Sequence, residues 1–206
     1  MGTPKIDLRF PLIGREIPLD HGYFLFAALS GLLEKPDDSW LHASDEIAIH
    51  NIRGRYIGPG LLALTPESRL SIRLPAALLP RFLPLAGKAI PLGDERLRIG
   101  IPQPVALVPA PNLYAHLVTT KNGQDEARFD EEIARQLTAL GVQGKPQRGP
   151  RRALRVKEKR VVAHTLLVTE LTAEESIRLQ EVGLGGRRKL GCGVFVPHPR
   201  NDLMGL

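Results

Sequence analysis

The chain has a single cysteine, Cys192, among 206 residues. One thiol can neither close a disulfide within the chain nor build a cysteine-rich zinc centre, so a reducing, cytoplasmic setting is expected. Aromatic residues are also few, at 5%, with one tryptophan and three tyrosines. That scarcity disfavours a protein that stacks many splayed nucleobases. The longest uncharged stretch, residues 99–120, is interrupted by Pro102, Pro104, Pro109 and Pro111. It reads as an extended linker and not as a membrane helix, and no membrane association is expected. Lys5, Asp7 and Arg9 stand where a secretion signal would carry its apolar core, so none is expected. Carboxylates are scarce in the last third. Residues 145–200 hold thirteen Lys/Arg and five acids, whereas residues 1–144 carry a net charge of −1. Such a one-sided positive field attracts a polyanion, most simply a nucleic acid.

A hydrophobic content of 43% supports an ordinary globular core. Residues 5–10 alternate as a strand, and Asp20 is a plausible N-cap for a buried helix over 21–34 that stops at Glu34-Lys35-Pro36-Asp37-Asp38. Strands are expected at 47–52, 61–65 and 69–74, a short helix at 76–86, and a hairpin from 89–92 and 96–99. The second half repeats the order. It has a strand at 113–119, a helix striped by Phe129, Ile133, Leu137 and Leu140, and strands at 153–156 and 160–171. A helix opened by the capping box Thr172-Ala173-Glu174-Glu175 and a last strand at 194–196 follow. Two β-α-β-β-α-β units imply an α+β chain of two tandem ferredoxin-like (RRM-like) domains. Their expected bounds are residues 1–100 and 112–206, joined by a proline-rich linker at 101–111.

The segment Gly183-Leu184-Gly185-Gly186-Arg187-Arg188-Lys189-Leu190-Gly191-Cys192-Gly193 places three cations between glycines. Gly185 and Gly186 permit close backbone approach, and Arg187, Arg188 and Lys189 supply charge, so exposed N–H groups and Arg forks would cradle phosphate. The loop ends a helix and begins a strand, the reverse of a dinucleotide fingerprint, and no phosphate-loop NTPase motif occurs. A second basic feature runs from Arg151 to Arg160. In a strand-turn-strand, Arg151, Arg155, Lys157 and Lys159 are expected on one side, with Arg152 and Arg160 adding charge, as a ribbon for RNA backbone.

The glycine loop resembles the C-terminal signature of the RAMP superfamily, with Gly183, Gly185, Gly191 and Gly193 at its glycine places and Leu184 and Cys192 at its apolar ones. Ile17-Pro-Leu-Asp-His-Gly-Tyr and Trp40-Leu41-His42 are similar to the N-terminal region of the CRISPR repeat-cleaving endoribonucleases, the Cas six family. The resemblance implies cleavage of precursor CRISPR RNA within each repeat without metal or cofactor, retention of the product, and delivery to other CRISPR effector subunits. A non-catalytic RNA-binding subunit of a CRISPR effector complex, with the same fold, is the alternative of another class.

Metal-free RNA cleavage sends the 2′-hydroxyl against the adjacent phosphorus and needs a base, an acid and cations. Histidine suits the proton work. His42 is the first candidate, at the place where many family members carry their catalytic histidine. His21, at the start of the first helix, is second, and His50, near Arg53, is third. His116 and His164 fall inside strands and His198 in a Pro-His-Pro tail. The chain departs from some relatives at Ser30, where they place a tyrosine, and has no lysine shortly after His42. No histidine pair or carboxylate–histidine cluster points to a metal.

Overall fold

The computed structural model describes residues 3–35, 38–200 and 203. Pro36 and Asp37, part of the expected helix stop, lie outside them. The chain divides into two compact units, Met1–Ala106 and Leu107–Leu206.

The first unit runs β1 (Lys5–Ile13), β2 (Glu16–Pro18), α1 (Gly22–Leu33), α2 (Trp40–Ala43), β3 (Ala48–Ile49), β4 (Arg55–Gly58), β5 (Leu61–Ala63), β6 (Arg69–Pro75), α3 (Leu79–Phe82), β7 (Ala89–Leu92), β8 (Glu95–Ile99) and β9 (Gln103–Ala106). All pairings are antiparallel. β6 lies between β1 and β3, and β9 pairs with the other edge of β1 over Ile6 to Arg9. The order β9-β1-β6-β3 is ferredoxin-like, and the β7–β8 hairpin joins the sheet beyond β9, at Leu12 and Ile13 of β1. Period-two alternation sends Leu8 and Phe10 into the core with Leu25 and Leu29 of α1.

Two expectations change here. The segment 101–111 is not a linker throughout, because residues 103–106 fill the sheet edge beside β1. Pro104 is tolerated because this is an edge position, where a missing N–H costs little. The helix expected at 76–86 is one α-helical turn between two 3₁₀ turns, broken at Pro80 and Pro84.

The second unit runs β10 (Leu113–Val118), α4 (Glu126–Ala139), β11 (Lys145–Val156), β12 (Lys159–Thr169), α5 (Ala173–Val182) and β13 (Val196–Pro197). Its sheet order, β11-β12-β10-β13, is again ferredoxin-like. Phe129, Ile133 and Leu137 of α4 pack with Leu113, Ala115, Val118 and Leu166 on one sheet face. Leu117, Leu154, Ala163 and Cys192 form a smaller cluster of their own. The capping box forms as expected: Thr172 accepts from the Glu175 N–H, and Glu175 accepts from the Thr172 N–H. No helix among the described residues is long and apolar enough to cross a membrane.

Candidate functional site

His42 sits on the single turn α2, which is anchored from behind. Leu41 is fully buried, Trp40 packs edge-on to Phe82, and the Trp40 indole N–H donates to the Leu33 carbonyl at the end of α1. With Trp40 and Leu41 turned inward, His42 is turned outward, its side chain 54% exposed. Its ring lies edge-to-face against Phe26 of α1, centroids 4.7 Å apart. Nδ1 is 2.6 Å from Oε2 of Glu34, and the His42 backbone N–H donates to Oε1 at 2.9 Å.

Glu34 is the C-cap of α1, and its side chain is only 9% exposed. Burial alone would raise its carboxyl, but the hydrogen bonds from the His42 backbone and ring prevail and hold it below the ordinary value. An ionised carboxylate only accepts, so the Nδ1 proton resides on His42 and points at Glu34. Sequence reasoning missed Glu34. Its signal was an acid at the C-terminal end of a helix, where the macrodipole disfavours negative charge.

His21 replaces Asp20 as the N-cap of α1 and makes no side-chain cap bond. It is 2% exposed, Nδ1 donates to the Pro18 carbonyl at 2.9 Å, and Nε2 accepts from the Ile52 N–H at 2.9 Å. Burial pushes its pKa down, against the pull of the Pro18 bond. With both nitrogens committed to backbone, its geometry is that of a tie between two loops. His50 lies against Asp7, Nε2 to Oδ1 at 3.3 Å, and Asp7 is bridged to the fully buried Arg73 at 2.8 and 3.1 Å. Burial lowers the His50 pKa, Asp7 opposes that, and Arg73 and Arg9 add to it. His50 is therefore part of a buried ion cluster and is not brought together with His42. His164 is buried with Nε2 bonded to the Gly123 carbonyl, while His116 and His198 flank Tyr114 in the second unit.

The glycine loop is built differently from the expected phosphate cradle. The N–H of Gly185 donates to Gln136, that of Gly186 to the Thr119 carbonyl, and that of Gly193 to the Leu117 carbonyl. Those of Leu190, Gly191 and Cys192 turn back to Arg187 and Arg188 carbonyls. The loop thus spends these donors on itself and on β10 and α4. Gly183, Gly185 and Gly193 are required by crowding: a Cβ on Gly193 would lie 2.0 Å from the Leu184 carbonyl oxygen, one on Gly185 2.3 Å from that of Thr119, and one on Gly183 2.2 Å from that of Gly193. Arg188 is half-buried and donates to the Glu181 carbonyl at 3.1 Å, capping the end of α5. Arg187 is exposed in the left-handed region, at φ 61, a strained place for a side chain. The charge the loop offers to solvent comes from Arg187, with Lys189 half-buried beside it.

The basic hairpin forms with a two-residue turn, Lys157-Glu158, and Lys157 is left-handed at φ 55. Its register corrects one expectation. Lys159 faces Val156, so it lies on the opposite face from Arg151 and Arg155. Arg160 takes its place, directly across from Arg155. Like charges so placed are unfavourable unless an anion lies over them. Arg151, Arg155, Lys157, Lys159 and Arg160 are exposed, while Arg152 is half-buried on the Leu154 face with Nε enclosed. In the same unit Arg148 pairs with Glu126 and Asp130, Lys145 with Glu170, Arg128 with Asp125 and Arg135 with Glu132.

Comparisons with known proteins agree across the chain. A family model described as Cas6 Crispr matches residues 6–200. A CRISPR-associated endonuclease Cas6 of Myxococcus xanthus (strain DK1622) is 40% identical over 195 residues, covering 95% of this chain and 82% of that protein. A solved structure described as an RAMP protein binding different RNA substrates superposes with a TM-score of 0.67 at 15% identity, covering 93% and 98% of the two chains. Another, of a CRISPR associated protein Cas6, gives 0.66 at 12% identity, covering 94% and 99%. At such identity these structures establish the tandem ferredoxin-like fold.

Proposed function

The chain belongs to the Cas6 family, and on that premise we propose that it is a CRISPR endoribonuclease that binds the repeat of precursor CRISPR RNA and cuts it without metal. The observation that carries the reading is His42, its Nδ1 proton committed to Glu34 and its ring exposed to solvent. A histidine so held presents Nε2 as a proton acceptor, the arrangement used by catalytic histidines backed by a carboxylate. In this mechanism Nε2 takes the proton of the 2′-hydroxyl as that oxygen bonds to phosphorus. The P–O5′ bond breaks, and the imidazolium returns the proton to the departing 5′-oxygen. The products are a 2′,3′-cyclic phosphate and a 5′-hydroxyl.

The N-terminal unit carries this histidine, and the C-terminal unit carries the RNA-binding cations. Arg151, Arg155, Lys157, Lys159 and Arg160 of the hairpin and Arg187 and Lys189 of the loop bind the phosphate backbone. The chain keeps the mature RNA after the cut and passes it to other CRISPR effector subunits in the cytoplasm. The test is His42→Ala with repeat RNA under single-turnover conditions. Cleavage falls by about 10² to 10⁴-fold while RNA affinity stays near wild type. Full activity in that variant rejects His42.

A further inference from the structure

Both carboxylate oxygens of Glu34 meet His42, with the Leu41 backbone N–H adding to them. Oε2 receives the His42 ring proton at 2.6 Å and Oε1 the His42 backbone N–H at 2.9 Å. An acid at the C-terminal end of α1 opposes the helix dipole, and its side chain is nearly enclosed. Both features cost free energy that a surface residue would not incur, and the two bonds to His42 offset them.

We infer that Glu34 is the positioning residue of the cleavage site, locking His42 in the Nδ1–H tautomer and aiming Nε2 at the RNA 2′-hydroxyl. This rests on the reading of His42 as the proton-transfer group. The two bonds have distinct effects. The backbone bond fixes where α2 begins, and so where the ring hangs. The ring bond fixes which nitrogen carries the proton. Phe26, edge-on at 4.7 Å, closes a third side and limits rotation about the ring axis. In water a neutral imidazole would divide between two tautomers and several rotamers, and only one combination presents a lone pair at Nε2 in this direction. The carboxylate also does more when the ring is charged than when it is neutral. Its attraction to the imidazolium is gained on the way to the transition state, which is the condition for an interaction to raise the rate of the chemical step.

Three measurements on the full chain test this. Glu34→Ala is expected to slow single-turnover cleavage of repeat RNA at saturating protein by roughly 10² to 10⁴-fold, the scale seen when an orienting carboxylate is lost. The dissociation constant for the RNA is expected to change by less than about twofold, because Glu34 faces His42 and the bulk of the affinity lies in phosphate contacts. Ring ¹⁵N shifts of His42 in the RNA-free protein, at a pH where the imidazole is neutral, are expected to show one tautomer in the wild type and a mixture in Glu34→Ala. Glu34→Gln matches the native shape but offers a single acceptor oxygen; with that oxygen on the His42 backbone N–H, its amide NH2 donates to Nδ1 and moves the ring proton to Nε2. It is expected to show the Nε2–H tautomer and to cut as slowly as Glu34→Ala. A wild-type cleavage rate in either variant, or an unchanged tautomer in Glu34→Ala, overturns the inference. His42→Ala separates the two claims. If it is inactive while Glu34→Ala cuts normally, the positioning role fails alone. If His42→Ala itself cuts at the wild-type rate, the reading beneath it fails.

Discussion

At the scale of single residues, the glycine loop shows how a legible motif can carry an illegible role. The spacing of Gly183, Gly185, Gly191 and Gly193 stands out in the sequence, and it marks the family correctly. Its physical use does not stand out, because hydrogen-bond direction is a property of the folded loop. Gly193 holds φ 65, and its missing Cβ leaves room for the Leu184 carbonyl at 2.0 Å. Gly186 lies in the same loop with nothing within 4 Å of a Cβ. Gly193→Ala should therefore destabilise the protein by about 2 kcal/mol or more, combining strained φ with backbone collision. Gly186→Ala should stay within about 0.5 kcal/mol, as a surface change does. Urea denaturation of the two variants checks the contrast, and equal stability would refute the packing role. The histidines teach the same lesson. Position ranked His42 first, but only burial and partners separate it from His21 and His50.

At the scale of elements, the basic hairpin was readable as a ribbon but not in register. Pro146, Gly149 and Pro150 obscure the first half of β11, and an irregularity between Arg148 and Arg151 absorbs a slip that no periodicity predicts. The two-residue turn then moves Lys159 to the other face and brings Arg155 opposite Arg160. Removing one of two facing cations should leave folding stability unchanged or slightly higher. RNA binding behaves differently. Arg155→Ala and Arg160→Ala should each weaken affinity for repeat RNA and lower the slope of log affinity against log salt by roughly 0.7–0.9. Titration by fluorescence anisotropy across a salt series measures both, and a slope equal to wild type would mean that neither residue meets a phosphate.

At the scale of the whole molecule, the repeated β-α-β-β-α-β order was legible because hydrophobic periodicity and caps announce it. β9, the strand at the edge of the first unit's sheet, was not, since Gln103–Ala106 carries Pro104 and lies inside a proline-rich stretch. The buried ion cluster on β1 and β6 was hidden as well, because Asp7 and Arg73 are distant in sequence and meet only through register. Burial would raise the Asp7 carboxyl, but His50 and Arg73 overcome this and hold it far below the ordinary value of 3.8. A carboxylate depressed in the folded state contributes stability that is full above its unfolded pKa and is lost as the pH falls toward the folded one. Stability should hold above about pH 5 and decline below it, and Asp7→Asn should lose that part of the decline. The variant should also be about 3–5 kcal/mol less stable at neutral pH, since Arg73 keeps a buried charge without its carboxylate. Thermal unfolding between acid and neutral pH reads both effects, and a variant as stable as the wild type at neutral pH would contradict them.

The account turns on metal-free cleavage through the substrate's own 2′-hydroxyl, and one experiment addresses it directly. The protein is incubated in EDTA with its cognate repeat RNA and, separately, with a copy carrying one 2′-deoxynucleotide at the cut site. The account predicts that the first RNA is cut to a 2′,3′-cyclic phosphate and a 5′-hydroxyl, and that the second is bound but left intact. Cleavage of the deoxy copy, or no cleavage of the unmodified repeat in EDTA, would contradict it.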